Sequence, residues 1–237
     1  MRRPSPKLTL LLIGALLAGC TQTKAFLKSE SFEPRPGVTV LLMPPDIELF
    51  ELTAGGVLEP KADWTATARL YVTAALAKEL GTKNVHMIQY EPPIDMPSKD
   101  YAYNQFLKLH EAVGGAIFIH KYTPRFELPT KKDKLDWSLG QDVGALREDN
   151  DAQYGLFIHL RDSYSSGGRV AFMVLAAILT MGRYVPHGGA QLGFASLVDL
   201  ESGDILWFNR LARGTGDLRT PESAQEAVRE LLSDLPL

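Results

Sequence analysis

Residues 191–212, QLGFASLVDLESGDILWFNRLA, contain two apolar runs that flank a short polar turn. The turn, Glu201–Asp204, contains Gly203, and glycine tolerates the positive φ that a tight hairpin turn requires. Apolar side chains fall on both faces of each run, so both faces of the predicted hairpin are apolar. A hairpin of this kind belongs to a sheet that is covered on both sides. The stretch therefore predicts a β-hairpin within a layered domain.

The sequence after the hairpin predicts a terminal helix. Thr220 can cap it, Pro221 suits its first position and Glu222 suits its first turn. Five apolar residues then recur at helical spacing: Ala224, Ala227, Val228, Leu231 and Leu232. The chain is thus predicted to end in a β-hairpin followed by a helix with one apolar stripe.

Before the hairpin, short apolar runs alternate with helical patterns. The predicted strands cover residues 38–43, 85–90, 116–120 and 154–160, a loose hairpin covers 47–58, and helices cover 63–80 and about 98–113. Gly114–Gly115 is expected to end the second helix, and residues 123–151 are expected to form a surface excursion. The alternation predicts an α/β fold, a single layered domain with a mixed β-sheet flanked by helices.

Residues 168–181 form a predicted helix in which Val170–Leu179 contains no polar residue. Ten helical residues rise about 15 Å, half of the roughly 30 Å thickness of a membrane core, so the helix cannot span a membrane by itself. A helix that is apolar on all sides is most often buried, and we expect it in the core of the domain. A contact between subunits and a contact with lipid are the alternatives.

The N-terminus has the layout of a secretory signal peptide. Arg2, Arg3 and Lys7 precede an apolar run over residues 8–17, and small residues follow the run. Its length of about ten residues is too short for a permanent transmembrane helix. Residues 1–19 are therefore predicted to be removed on export.

The sequence Leu17–Cys20 resembles the lipobox of bacterial lipoproteins. The resemblance implies a diacylglycerol on the Cys20 thiol and a fatty acyl chain, such as palmitate, on the new N-terminus. Together these lipids would anchor the chain permanently in a membrane. Thr21 stands where an aspartate would favour the inner membrane, which implies an outer-membrane location facing the periplasm. The polar residues 20–37 are predicted to form a flexible tether, and residues 38–237 the periplasmic domain.

Composition excludes several classes of function. With 45% hydrophobic and 22% charged residues, the chain has the composition of an ordinary globular protein. A net charge of −3 and a pI near 6.0 argue against nucleic-acid binding. Cys20 is the one cysteine, so its acylation leaves no thiol for a disulfide, thiolate catalysis or iron–sulfur ligation. We expect no cofactor besides the lipid on Cys20, and no nucleic-acid partner.

The sequence contains no strong motif for an active site. None of its five histidines has metal-motif spacing, and a site between His120 and His159, which close two predicted strands, would need a third ligand. Ser163–Arg169 has the serine and glycine content of a phosphate cradle at a helix N-terminus but lacks the P-loop spacing. Gly188–Gly189 is interpreted as a loop hinge. The sequence thus predicts no catalytic residue, no metal site and no enzyme, and it assigns no ligand-binding residue.

A group of charged residues near the predicted strand ends forms the candidate interaction surface: Arg161, Asp162, Arg210, Arg213, Asp217 and Arg219. These residues either form ion pairs that hold the C-terminal helix or form the rim of a partner-binding surface. Exposed ion pairs contribute little each, so the sequence leaves both alternatives open.

Two segments, Tyr154–Ser163 and Gly193–Arg210, carry a resemblance to known proteins. They resemble uncharacterised bacterial lipoproteins and, more distantly, three periplasmic folds. These are the curli-secretion lipoprotein, the penicillin-binding-protein activator lipoproteins and the N-terminal domain of the Tol translocation protein. The resemblance implies a compact α/β domain that works by protein contacts in envelope assembly or export, and not by catalysis.

Three hypotheses of function result. The leading one is a lipid-anchored periplasmic scaffold or accessory subunit that acts by protein–protein contacts, with an unknown envelope partner or as a homo-oligomer. The second is a ligand-binding lipoprotein or an enzyme acting on envelope glycans, which requires a deep pocket with convergent polar groups. The third is a pore-like oligomer that uses Val170–Leu179 as a packing or lipid-facing element.

Overall fold

The computed structural model describes residues 22–29, 32, 37–83, 85–91, 97–131, 134–181, 183, 187–214 and 216–237. The strands are β1 (Gln22–Leu27), β2 (Thr39–Leu42), β3 (Asp46–Leu52), β4 (Leu58–Pro60), β5 (His86–Gln89), β6 (Tyr154–Ser165), β7 (Gln191–Asp199) and β8 (Ile205–Arg213). The α-helices are α1 (Ala62–Leu80), α2 (Pro97–Tyr122), α3 (Gly144–Asn150), α4 (Gly167–Leu179) and α5 (Pro221–Leu231). The predicted signal peptide, Cys20 and Thr21 lie outside the described residues.

The described strands form one mixed sheet in the order β1-β8-β7-β6-β2-β5. Strand β6 pairs in parallel with β2 along its first part and with β3 along its last part, while β4 pairs with β3. Strand β5 is parallel to β2, whereas β7, β8 and β1 continue the sheet in antiparallel fashion. The predicted α/β fold, a single domain with a mixed sheet flanked by helices, is confirmed.

The predicted hairpin is formed by β7 and β8. Gly203 in its turn has a φ of 77°, the left-handed value for which a glycine is suited. The side chains of Trp207 and Phe208 are both fully buried, and they belong to two different hydrophobic clusters on opposite faces of the sheet. Helix α5 follows the hairpin from its N-cap at Thr220, and its predicted apolar stripe is buried.

Two hydrophobic cores lie on the two faces of the sheet. One contains Leu76 of α1 and Val228 of α5, and the other contains Ile117 of α2 and Leu146 of α3. The prediction that the sheet is covered on both sides is therefore confirmed.

The predicted strand over residues 116–120 is wrong, because α2 continues through Gly114–Gly115 to Tyr122. A Cβ atom on Gly114 would lie 2.1 Å from the ring of Phe194. The glycine therefore allows α2 to pack closely on β7, and it does not end the helix. A short apolar run cannot be assigned to helix or strand by its pattern alone. The glycine pair wrongly indicated the end of the helix, so the run after it was predicted as a strand.

Residues 123–131 and Lys134 are half-buried or exposed, but the chain from Leu135 onward is not the predicted surface excursion. Leu135, Leu139 and Val143 are buried beside Leu146 in the core on the α2 side of the sheet. The charged residues between them obscure this pattern in the sequence, because the segment is irregular and its apolar residues follow no single period. Residues 135–151 thus contribute buried side chains to this core.

The predicted tether also contains an element of the sheet. Strand β1 pairs with β8 over six residues, and the ring of Phe26 lies 5.1 Å from the ring of Tyr122 on α2. Edge strands commonly carry polar and lysine side chains, so polar composition did not distinguish a strand from a tether here. The domain begins by residue 22 instead of residue 38.

Helix α4 is not buried, contrary to the expectation that it lies in the core. Ala176 is its one buried side chain, whereas Ile178 and Leu179 are 69% and 73% exposed. The two faces of the sheet are already covered by the other helices and by residues 123–151. Because α4 is inserted between β6 and β7 at the end of the sheet, no sheet face remains for it.

Candidate functional site

The main candidate site is a crevice of about 690 Å³ beside the ends of β2 and β5. Its floor is formed by the residues directly after β2 in the chain, and its walls are formed by α1 and α2. Most of its lining side chains are polar. The lining residues are Pro44, Pro45, Asp46, Arg69, Thr73, Gln89, Asn104, Gln105, Leu107 and Lys108. We call this site the switch crevice because of its position in the sheet.

The topology explains why a crevice forms here. The connection from β3 and β4 to β5 runs through α1, which belongs to one core, and the connection from β5 to β6 runs through α2, which belongs to the other. The two helices thus leave the sheet on opposite faces on either side of β2. In α/β sheets such a point opens a crevice at the carboxyl ends of the parallel strands, where ligands bind.

A cluster of ion pairs lies at the inner side of the switch crevice. The Arg161 guanidinium donates hydrogen bonds of 3.1 and 3.0 Å to both carboxylate oxygens of Asp46, and one of 3.2 Å to Glu111. The His159 Nδ1 lies 3.2 Å from Asp46. Burial alone would raise the pKa of Asp46, but the hydrogen bonds from His159 and Arg161 outweigh it and hold that pKa well below its usual range. Asp46 is therefore ionised.

Asp46, Glu111 and His159 offer ligand atoms within 4.8 Å of one another, a separation that could suit a metal ion. The Arg161 guanidinium, however, contacts both carboxylates and supplies the positive charge between them. Arginine keeps its charge under all ordinary conditions, so a cation would have to displace it. The arrangement is that of an ion-paired cluster.

Two further histidines lie on α2. His110 is fully enclosed, shares a 2.9 Å hydrogen bond with the Ser196 hydroxyl, and has a pKa that burial lowers to about 3. His120 donates a 2.6 Å hydrogen bond to the Phe126 carbonyl, whereas His159 on β6 is bonded to Asp46. The structure thus places His120 and His159 in different surroundings and does not form the pair that the sequence left open.

A second polar network lies on the opposite face of the sheet. Asp162 is buried and its Oδ2 accepts hydrogen bonds from the Tyr164 hydroxyl, from Gln191 at 2.7 Å and from the backbone N–H of Leu218 at 3.3 Å. Burial raises the pKa of Asp162 to about 6, although these donors act in the opposite direction. The Arg213 Nε donates to Gln191 at 2.5 Å, which extends the network to α5 through Glu230 at 3.3 Å.

The candidate interaction surface predicted from the sequence is divided by the sheet. Arg161 and Arg210 lie on the α2 side, where Arg210 is 4.2 Å from the ring centre of Tyr122. Asp162, Arg213, Asp217 and Arg219 lie on the other side. Neighbouring residues of a strand point to opposite faces, which separates Arg161 from Asp162.

On that other side, the charged residues hold the C-terminal part of the chain in place. Arg219 pairs with Asp217 at 2.8 Å and lies 3.8 Å from the ring centre of Tyr164 and 4.5 Å from that of Trp64. With the Arg213–Glu230 pair, these contacts connect residues 213–219 to α5 and to α1.

The suggested phosphate cradle has a structural explanation. The Ser166 hydroxyl accepts a hydrogen bond from the Arg169 backbone N–H and so caps α4, and the Arg169 side chain donates to the His187 carbonyl. A Cβ atom on Gly189 would lie 1.9 Å from the Ser163 carbonyl oxygen, so that glycine permits a close backbone approach. Residues 163–169 thus act in capping and packing.

The residues of the switch crevice were not singled out from the sequence. Asp46 could have been, because Pro44–Pro45 ends a predicted strand and a charged residue follows at its carboxyl end. Arg69, Gln105 and Lys108 lie on helix surfaces, where a polar residue is the ordinary case. Only the crossing of α1 and α2 around β2 brings them together.

Fold and site define this chain as an α/β domain with a polar crevice at a topological switch point.

No family profile matches the chain, and no curated protein matches it in sequence. Among solved structures, a PelC dodecamer from Paraburkholderia phytofirmans is 10% identical over 92% of this chain and 98% of that chain, with a TM-score of 0.41. A second PelC dodecamer structure from this organism is 12% identical with the same coverage and a TM-score of 0.38. The lipoprotein GNA1162 from Neisseria meningitidis is 13% identical over 73% of this chain and 77% of that chain, with a TM-score of 0.28. Likenesses at this level assign no family and no function.

Among the described residues, no helix is both long and apolar enough to cross a membrane. Helix α4, in which Val170–Leu179 are all apolar, has 13 residues.

Proposed function

We propose that this chain is a lipid-anchored accessory protein of the bacterial envelope, facing the periplasm from the outer membrane, and that its domain works by binding and not by catalysis. The observation that carries the proposal is the switch crevice, a polar hollow of about 690 Å³ at the position where α/β sheets bind their ligands. The covalent lipid on Cys20 is the one non-protein group that the proposal requires.

The charge states of the crevice support binding over acid–base chemistry. Asp46 is held as an anion by Arg161 and His159, and its pKa lies well below its usual range. A hydrogen bond to Glu111 raises the pKa of Lys108, which therefore remains a cation. A general acid or base works best with a pKa near the ambient pH, and neither group meets that condition.

The proposed occupant is a polar segment of an envelope protein. Arg69 and Lys108 supply positive charge, and Gln89, Asn104 and Gln105 supply amides that can donate and accept hydrogen bonds. Such a set can bind backbone carbonyls and acidic side chains of an extended segment. The same chemistry also suits an acidic glycan, which is the second candidate because Arg69 and Lys108 can pair with its carboxylates.

Photo-crosslinking in cells tests the proposal. A crosslinking residue in place of Gln105, which is exposed at the crevice, should give an adduct of defined mass, whereas the same residue in place of the exposed Glu222 on α5 should not. Loss of the adduct on protease treatment of the partner identifies a protein, and resistance to protease identifies a glycan.

The crosslink should depend on the charge of the crevice. Arg69→Ala removes one charge-assisted contact and should weaken the crosslink roughly tenfold. Lys78→Ala, which removes an exposed cation from the same helix away from the crevice, should leave the adduct unchanged. Equal adducts at positions 105 and 222, or none at position 105, would contradict the proposed function.

A further inference from the structure

Helix α4 presents a broad apolar surface to solvent. The side chains that face the rest of the domain recur at helical spacing and include Arg169, Met173, Ala176 and Thr180, while the opposite arc of about 200° holds only apolar residues. The exposed residues of this arc are Val170, Ala171, Phe172, Val174, Leu175, Ile178 and Leu179. An exposed apolar patch of this kind marks a contact with another molecule or with a membrane.

The sheet register shows where this helix lies relative to the start of the described chain. Gln22 in β1 is paired with Ala212, Gln191 in β7 with Arg213, and Asp162 in β6 with Gln191. The first residue of β1 and the last residues of β6 are therefore at the same end of the sheet. Three strand spacings, about 14 Å, separate β1 from β6 there, and α4 follows β6 directly.

The described chain begins at this end of the sheet, two positions after the predicted acylation site. Cys20 precedes Gln22 by two positions, and two extended residues span at most about 7 Å. An acyl chain on Cys20 would thus enter the bilayer close to the end of the sheet from which α4 projects. Any bilayer that holds the anchor comes within reach of the exposed arc of α4.

The charge of this part of the chain fits a lipid surface. Residues 163–198 contain no aspartate or glutamate, and they include the arginines Arg169 and Arg183. Envelope membranes contain anionic lipids, and helices that lie in the membrane interface combine a strongly apolar side with nearby arginine or lysine. A protein partner would require no such absence of acidic residues.

We infer that the exposed arc of α4 lies in the headgroup–acyl boundary of the membrane that carries the Cys20 anchor, as a second, non-covalent membrane contact. The anchor and α4 together then hold the sheet at two points about 14 Å apart, in a defined orientation. This contact is separate from the binding proposed for the switch crevice, and either can fail without the other.

Fluorescence quenching by lipid tests the inference. The full acylated chain, in which Leu175 or Ile178 is replaced by cysteine, is labelled with an environment-sensitive dye and reconstituted into vesicles of phosphatidylethanolamine and phosphatidylglycerol. Leu70→Cys on α1, a leucine that is 72% exposed, is the matched control, and the wild-type chain gives the labelling background. Lipids brominated in the upper acyl region should quench about half of the emission at positions 175 and 178, the depth expected of an interfacial helix, and almost none at position 70.

Two results would overturn the inference. Unquenched dyes on the labelled chains, together with concentration-dependent disulfide formation between unlabelled Ile178→Cys chains in the presence of an added oxidant, would show that a second copy covers α4. Unquenched dyes with the emission of a water-exposed probe would show that nothing covers it. Neither result would affect the crosslink at position 105, so a failure of this inference is distinguishable from a failure of the proposed function.

Discussion

At the scale of single residues, Asp162 gives the clearest link between burial and pH. Its folded-state pKa is raised to about 6 by burial, against 3.8 as the ordinary value. A carboxyl group with a raised pKa binds its proton more tightly in the folded state, so its stabilising contribution is full below pH 3.8 and is lost as the pH rises through 6. Between pH 4.5 and pH 7.5, the contribution of Asp162 to the free energy of unfolding falls by about 2 kcal/mol.

We therefore expect Asp162→Asn to remove this part of the pH dependence. Between pH 4.5 and pH 7.5, the wild-type chain should lose about 2 kcal/mol of its free energy of unfolding through Asp162, and the variant should not show this loss. Urea unfolding of both chains at both pH values measures the difference. Asp217→Asn is the control, because Asp217 contributes a pH dependence of the opposite sign. The hydrogen bond from Arg219 lowers the pKa of Asp217, so this aspartate stabilises the fold above its ordinary pKa. Parallel pH profiles of wild type and Asp162→Asn would contradict the expectation.

The same residue shows what the sequence could and could not reveal about the site. Arg161 and Asp162 are adjacent in the chain and were grouped together, but strand alternation sends them to different networks. Partners such as Gln191 and Leu218 lie 29 and 56 positions away from Asp162, and no local pattern connects them. Pairings of this range depend on strand register, which single-sequence patterns do not specify.

At the scale of elements, α2 shows how one glycine can reverse an assignment. Gly114 lies against the ring of Phe194, whereas Gly115 has no atom within 4 Å of an added Cβ. The first glycine is required for close packing, and the second is an ordinary helix-interior glycine with an entropic disadvantage. The two adjacent positions therefore predict opposite effects of the same substitution.

Gly114→Ala should destabilise the chain by about 2 kcal/mol or more, because the added methyl group must displace a buried ring. Gly115→Ala should stabilise it by about 0.5–1 kcal/mol, because alanine favours the helix. Urea unfolding of both variants at one pH measures the difference. Equal effects at the two positions would show that α2 does not pack on β7 in the manner described.

The elements that the sequence predicted well are those with a local signal. The β7–β8 hairpin has a glycine at the position with positive φ, and α5 has a proline at its start and a regular apolar stripe. Helix α4 was recognised as a helix, but its placement was wrong. Its burial depends on whether a sheet face is vacant, and that is a property of the whole fold.

At the scale of the whole molecule, β1 determines how closely the domain would follow the proposed membrane anchor on Cys20. Six residues of β1 pair with β8, and Phe26 covers Tyr122 beside the core on the α2 side. A free tether would let the domain move away from the membrane, whereas a paired strand keeps the sheet within two residues of Cys20. The proposed contact of α4 with lipid requires the second arrangement.

Truncation distinguishes the two arrangements. A chain that begins at residue 21 keeps the intact sheet, whereas one that begins at residue 29 loses the pairing along β8 and the contact of Phe26 with Tyr122. The midpoint of thermal unfolding of the shorter chain should therefore be roughly 5–10 °C lower. The shorter chain should also associate at high concentration, because the edge of β8 is then open to pairing. Thermal unfolding followed by circular dichroism, with light scattering on the same samples, measures both effects. Equal midpoints would mean that residues 22–27 contribute nothing to the sheet in solution, and the two-residue spacing between anchor and domain would no longer hold.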